Sequence, residues 1–168
     1  LLGFYSPTKG EIKVGDTDLQ NISKHLWRDA CGAVMQDGCI FSDTIARNIA
    51  VSDEGERIDK NRLHHAVKVA NLKDLINGLP LGYNTKIGQE GHGLSQAQTQ
   101  RILIARAVYI NPTFLFFDEA TNALAANHEK VIMEYLNEFF IGKSVVIVAH
   151  RLSTVKDADH IVVLNRGN

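Results

Sequence analysis

Asp118 and Glu119 close the apolar run Phe114-Leu115-Phe116-Phe117, and they are the acids of this chain best placed to meet a ligand. Open α/β sheets bind ligands at the carboxyl ends of their strands, which is also where two charges can leave the core. The same pair could equally cap the turn that follows. His150 ends a second apolar run, Val145-Val146-Ile147-Val148-Ala149. An imidazole there can hydrogen-bond a phosphate or orient a water, although a histidine at a strand end, taken alone, is more often structural. Gln36 follows a shorter run over residues 31–35, and a lone loop glutamine is ordinarily just solvated. Ser95 precedes Gln96, Ala97 and Gln98 as a helix N-cap. The free N–H groups and positive dipole end of such a helix receive anions.

Positioning these residues takes strands and helices in alternation. Residues 1–5 read as the end of a helix stopped by Ser6-Pro7-Thr8-Lys9-Gly10, with a strand over 11–14 and a turn at Gly15-Asp16. Ser23 is placed to cap a helix over 24–29, ahead of a buried strand over 31–35. Helical patterns run over 42–50 and, after a charged loop at 53–57, over 59–77. Residues 78–93 carry Pro80 and five glycines, too broken for regular structure and too long for a tight turn. A helix from Ser95 to Ile110 breaks at Asn111-Pro112; a strand over 113–117, a helix over 127–140, and strands over 144–149 and 161–164 complete the pattern. The alternation predicts an α/β fold, a mainly parallel sheet covered on both faces, with a helical subdomain inserted. No internal repeat or low-complexity tract is evident.

With 45% apolar side chains and a net charge of −1, the 168 residues can bury one core and offer no electrostatic reason to bind nucleic acid. Cys31 and Cys39 lack C-x-x-C spacing and histidine neighbours, so they read as reduced thiols. His64 and His65 are adjacent rather than four apart, which does not suit a helical metal pair. No apolar run approaches the roughly 18 to 20 residues that span a bilayer, and the start lacks the features of a signal peptide.

The stretch Gly93-Leu94-Ser95-Gln96-Ala97-Gln98-Thr99-Gln100-Arg101, followed by Phe114-Leu115-Phe116-Phe117-Asp118-Glu119, resembles the signature and Walker B motifs of an ABC-type ATPase. Val34-Met35-Gln36-Asp37 is similar to that family's glutamine loop, and Val148-Ala149-His150-Arg151 to its switch histidine. The resemblance implies a P-loop NTPase-like mainly parallel sheet flanked by helices. Its α/β core is expected over 1–41 and 111–168, and its helical subdomain over about 42–110. It implies ATP and Mg²⁺ as ligands. Asp118 would hold Mg²⁺ through its water shell, Glu119 would polarise the attacking water, and Gln36 would reach the Mg²⁺ or that water. His150 would meet the γ-phosphate. Ser95 and Gln98, with Gln96 and Ala97 in the same turn, would contact the nucleotide of a second nucleotide-binding domain, docked head to tail. The region from Gln36 to Asn48, and Thr85-Lys86-Ile87-Gly88-Gln89-Glu90-Gly91, resemble the segments by which ABC exporters touch the coupling helices of their transmembrane domains. Gln100 to Tyr109 and Asn122-Ala123-Leu124 look most like bacterial exporters of peptides or bacteriocins. The resemblance thus implies a place at the cytoplasmic face of the bacterial inner membrane.

The chain departs from the family at three points. Gln96 and Ala97 stand where the usual signature has two glycines, and each added side chain would crowd an approaching phosphate. Ala125 stands where an aspartate normally ends the loop after Walker B. No G-x-x-x-x-G-K-[ST] phosphate loop occurs between Leu1 and Asn168, so the first strands are expected to be missing and the sequence to start just after that loop. Such a chain alone is expected to bind ATP weakly and to expose an apolar sheet edge. A transport-coupled ATPase domain is the leading expectation, and a catalytically degenerate, regulatory partner domain is the alternative. A soluble ABC protein acting on DNA or ribosomes would call for a long coiled-coil insertion or basic arm, and neither is visible.

Overall fold

The computed structural model describes residues 1–51 and 57–164. The expected charged loop at 53–57 lies, but for Arg57, outside the described residues. Residues 1–5 are not a helix end: 1–2 are irregular and 3–5 form bends. Five residues cannot nucleate a helix unaided, and the Leu1 carbonyl instead accepts a bond from the Trp27 indole N–H at 3.1 Å. The expected strand over 11–14 shortens to β1 (Lys13–Val14), which pairs antiparallel with β2 (Thr17–Asp18). Helix α1 (Lys24–Asp29) starts after Ser23 as expected, but the serine hydroxyl makes no capping bond. Strand β3 (Cys31–Val34) follows, with β4 (Asp43–Thr44), α2 (Ile45–Ile49), α3 (Lys60–Val69) and α4 (Lys73–Asn77) after it. The single helical stretch expected over 59–77 divides because Asn71 adopts a φ of 51°, a left-handed conformation that ends a right-handed helix.

The irregular stretch over 78–93 holds a 3₁₀ turn (Gly82–Asn84), β5 (Lys86–Ile87), which pairs with β4, and an isolated bridge from Ile87 to His92. Then come α5 (Gln96–Ile110), β6 (Phe114–Asp118), α6 (Ala126–Phe140), β7 (Ser144–Val148) and a short α7 (Leu152–Val155) that the sequence did not suggest. The strand expected over 161–164 is not formed: Ile161, Val162, Val163 and Leu164 are exposed. β-branched residues favour a strand only where a neighbouring edge supplies hydrogen bonds.

Strands β3, β6 and β7 form one parallel sheet in the order β3-β6-β7. Val34, Leu115 and Phe117 point to its buried face, against α5 and against α6 through an edge-on Phe117–Phe140 pair at 5.4 Å. The opposite face carries the row Ala33, Phe116, Val146, and Trp27 of α1 covers its β3–β6 side with ring centroids 4.8 Å from Phe114 and 6.4 Å from Phe116. This is an α/β fold with a parallel sheet flanked by helices, more heavily covered on one face than on the other. Both cysteines are free thiols.

Candidate functional site

The parallel register brings three strand ends together. Val34 lies beside Phe117 and Phe117 beside Ile147, so Gln36, Asp118–Glu119 and His150 all emerge from the same end of the sheet. The closest meeting is between Glu119 and His150: Nε2–H of the imidazole donates to Oε1 of the carboxylate at 2.6 Å. The other oxygen of Glu119, Oε2, accepts from Asn122 Nδ2 at 2.6 Å. Glu119 is 19% exposed and His150 75%, so the carboxylate is largely covered at the carboxyl end of the central strand while the imidazole that bonds it is open to solvent. Glu119 itself has a φ of 49°. A non-glycine residue pays for that left-handed turn, and such strain gathers at functional sites. Its N–H nevertheless stays bonded to the Val148 carbonyl at 3.0 Å, which keeps the β6 and β7 ends in step.

Asp118, one residue earlier, is half-buried, and its carboxylate makes no bond to the described residues. Gln36 is exposed in the turn after β3. That turn is held against α5, because a Cβ added at Gly38 would come within 2.4 Å of Leu103 Cδ1. One carboxylate and one neutral amide oxygen suit Mg²⁺, which keeps several waters and takes phosphate oxygens as further ligands. No group of three or more histidines, cysteines or acids that could form an all-protein metal cage occurs among the described residues.

Ser95 caps α5, and Gln96, Ala97 and Gln98 form its first turn. Ser95 and Gln98 form a reciprocal capping box: Gln98 N–H donates to Ser95 Oγ at 3.2 Å, and Ser95 N–H donates to Gln98 Oε1 at 2.9 Å. Gln96 is exposed and Ala97 packs its methyl on the core. No hydrogen bond or ion pair among the described residues joins this turn to Glu119 or His150.

The segments starting at Gln36 and at Thr85 meet in the β4–β5 ladder, Asp43 opposite Ile87 and Thr44 opposite Lys86. Gly88 makes the approach possible: its φ is 97°, and an added Cβ would lie 2.9 Å from the Phe41 carbonyl oxygen. Asn48, fully buried on α2, fixes the shape of residues 41–44. Its Nδ2 donates to the carbonyls of Phe41 (2.9 Å), Thr44 (3.1 Å) and Asp43 (3.3 Å), and its Oδ1 accepts from Phe41 N–H (2.8 Å). Arg106 of α5 adds bonds to the Asn48 carbonyl (2.8 Å) and the Cys39 carbonyl (3.1 Å). Burial pulls this guanidinium below its ordinary pKa, opposed by Cys39, yet it starts so high that it stays charged at neutral pH.

Sequence reasoning missed Asn122, Asn48, Arg106 and Glu129 as site-building residues. Asn48 carried a signal, a polar side chain three residues after Ile45 on an apolar helix face. Asn122 and Glu129 carried none, since the bond of Asn122 to Glu119 depends on the left-handed turn at Glu119, and Glu129 meets Arg151 and Thr154 only through the fold.

A sequence profile described as ABC transporter matches residues 1–122. The chain is 44% identical over 164 residues to the alpha-hemolysin translocation ATP-binding protein HlyB of Proteus vulgaris, spanning 98% of this chain and 23% of that protein. It is 43% identical over 164 residues to the toxin RTX-I translocation ATP-binding protein of Actinobacillus pleuropneumoniae, again spanning 98% and 23%. Among solved structures, a bacterial Atm1-family ABC exporter with ATP bound superposes with a TM-score of 0.91 at 38% identity, over 99% of this chain and 29% of that one. The chain therefore spans about a quarter of the length of the relatives it matches.

Proposed function

The chain belongs to the ABC transporter family, with the P-loop NTPase-like sheet of its exporters, and from that premise we propose that it is part of the ATP-hydrolysing domain of an exporter. The Glu119–His150 bond at 2.6 Å, one residue from Asp118, carries this reading. In it, Glu119 Oε1 and Oε2 are oriented by His150 and Asn122, leaving the carboxylate's remaining lone pairs to accept a proton from water. His150, largely exposed, can turn its imidazole between that carboxylate and a phosphate. Asp118, with Gln36, would hold Mg²⁺, which when bound polarises the phosphate oxygens. Ser95 and Gln98, with Gln96 and Ala97 beside them, would present the α5 N-terminus to ATP held by a second nucleotide-binding domain.

The β4–β5 ladder supports one continuous docking surface for the coupling helices of a transmembrane domain, built from the region between Gln36 and Asn48 and from Thr85 to Gly91. In this reading residues 42–110 form the helical subdomain, and residues 1–41 and 111–168 the α/β core. Among the described residues no helix is long and apolar enough to cross a membrane; the domain would work at the cytoplasmic face of a bacterial inner membrane beside membrane-spanning segments. The relatives' names specify translocation of alpha-hemolysin and RTX-I toxin, which supports a secreted polypeptide as cargo; a peptide or bacteriocin-like cargo is the narrower form of that reading and rests on the resemblance of Gln100 to Tyr109 and Asn122-Ala123-Leu124.

The test is ATP turnover by the full-length gene product and its Glu119→Gln variant. Turnover that falls by about 10² to 10⁴ in the variant, with ATP still bound, is the expected result. A second reading, a catalytically degenerate partner domain, draws on Ala97 and Ala125. It is favoured instead if the parent binds ATP and does not turn it over.

A further inference from the structure

Glu129 lies outside the motifs, yet the loops that carry Glu119 and His150 are both tied to it. Its carboxylate is 12% exposed and receives three donors. Oε1 accepts from Thr121 Oγ1 at 3.0 Å and from Thr154 Oγ1 at 3.2 Å, and Oε2 accepts from Arg151 Nη1 at 2.6 Å. Thr121 is two residues past Glu119; Arg151 directly follows His150. Glu129 stands in the first turn of α6, where its own N–H is fixed to the Ala125 carbonyl at 2.9 Å. One carboxylate thus joins the loop after β6, the start of α6 and the segment after β7. The Glu119–His150 bond spans the same two loops, so the distance between them sets whether that bond forms.

We propose that Glu129 is a positioning residue for hydrolysis, acting through Thr121 and Arg151 to hold His150 Nε2 on Glu119; the inference rests on the ATPase reading above. A carboxylate this far out of water must be paired, so replacing either partner lets the loops shift. A shift of about 1 Å at reacting groups can cost on the order of 10²-fold in rate without altering how substrate is bound.

The test compares the full-length parent with Glu129→Gln, Arg151→Gln and the double variant, reading kcat, KM for ATP and the urea unfolding midpoint. Tyr109→Phe, which removes the hydroxyl that accepts from Asp59 N–H at 3.1 Å, serves as a destabilised control. Expected is a loss of about tenfold or more in kcat for each single variant at unchanged KM, no further loss in the double variant, and normal kcat in the control. Arg151 is half-exposed, so its variant reports even where Glu129→Gln folds poorly. A kcat within twofold of the parent, a rise in KM alone, or a loss matched by the control would each overturn the proposal, with turnover of the parent and its loss in Glu119→Gln leaving the ATPase reading intact. A parent that binds ATP without turnover would instead remove that reading, and this inference with it.

Discussion

A buried amide costs about 1 to 3 kcal/mol unless its polar atoms find partners, and Asn48 finds its partners in residues 41–44 and in Arg106 of α5. Removing them by Asn48→Ala should lower stability by about 2 to 4 kcal/mol, since several bonds and a buried volume go together. Urea unfolding of the two proteins checks this; equal midpoints would mean that residues 41–44 hold their shape unaided. Asp118, Glu119 and His150 stand out in the sequence as residues that follow apolar runs, but those runs alone leave a structural reading open, and it is the resemblance to the ABC motifs that implies chemical roles for them. The geometry between them was not legible. The 2.6 Å contact of His150 with Glu119 depends on the register of β6 against β7, which no spacing along the chain encodes. The bonds of Asn122 to Glu119 and of Glu129 to Thr121 and Arg151 were hidden for the same reason.

At the scale of elements, legibility followed locality. Helix α5 begins and ends where expected because its signals are adjacent: the Ser95–Gln98 capping box at one end, and Asn111 with a φ of 53° followed by Pro112 at the other. Helix α6 was legible from its apolar periodicity, but its start is weak, since Ala125 occupies the N-cap with extended φ and ψ and no side-chain bond. Ala125→Asp should therefore raise stability by about 0.5 to 2 kcal/mol, a carboxylate there accepting from free N–H groups of the first turn. An unchanged thermal midpoint would show that those groups are already satisfied. The β4–β5 ladder could not be anticipated, because two-residue strands have no periodicity and their pairing joins distant segments. The strand expected over 161–164 failed for the converse reason: its residues suit a strand, but a strand also needs an edge.

Across the whole molecule, the sheet is unevenly covered. One face is packed beneath α5 and α6; on the other, Val146 and Val148 are 40% and 53% exposed, and Trp27 shields only the β3–β6 side. Contiguous exposed apolar surface promotes association, so the chain from Leu1 to Asn168 should self-associate as its concentration rises. Val146→Lys with Val148→Lys should reduce this; sedimentation velocity is the measurement, and a parent that stays monomeric throughout would contradict the expectation. Trp27 adds something else. It is the only tryptophan of the chain, it is buried, its indole N–H is bonded to Leu1, and its ring lies against Phe114 of the central strand. Its fluorescence is therefore a built-in, label-free optical gauge of whether the amino terminus, α1 and the sheet remain docked, and it is blind to loosening confined to α3 and α4.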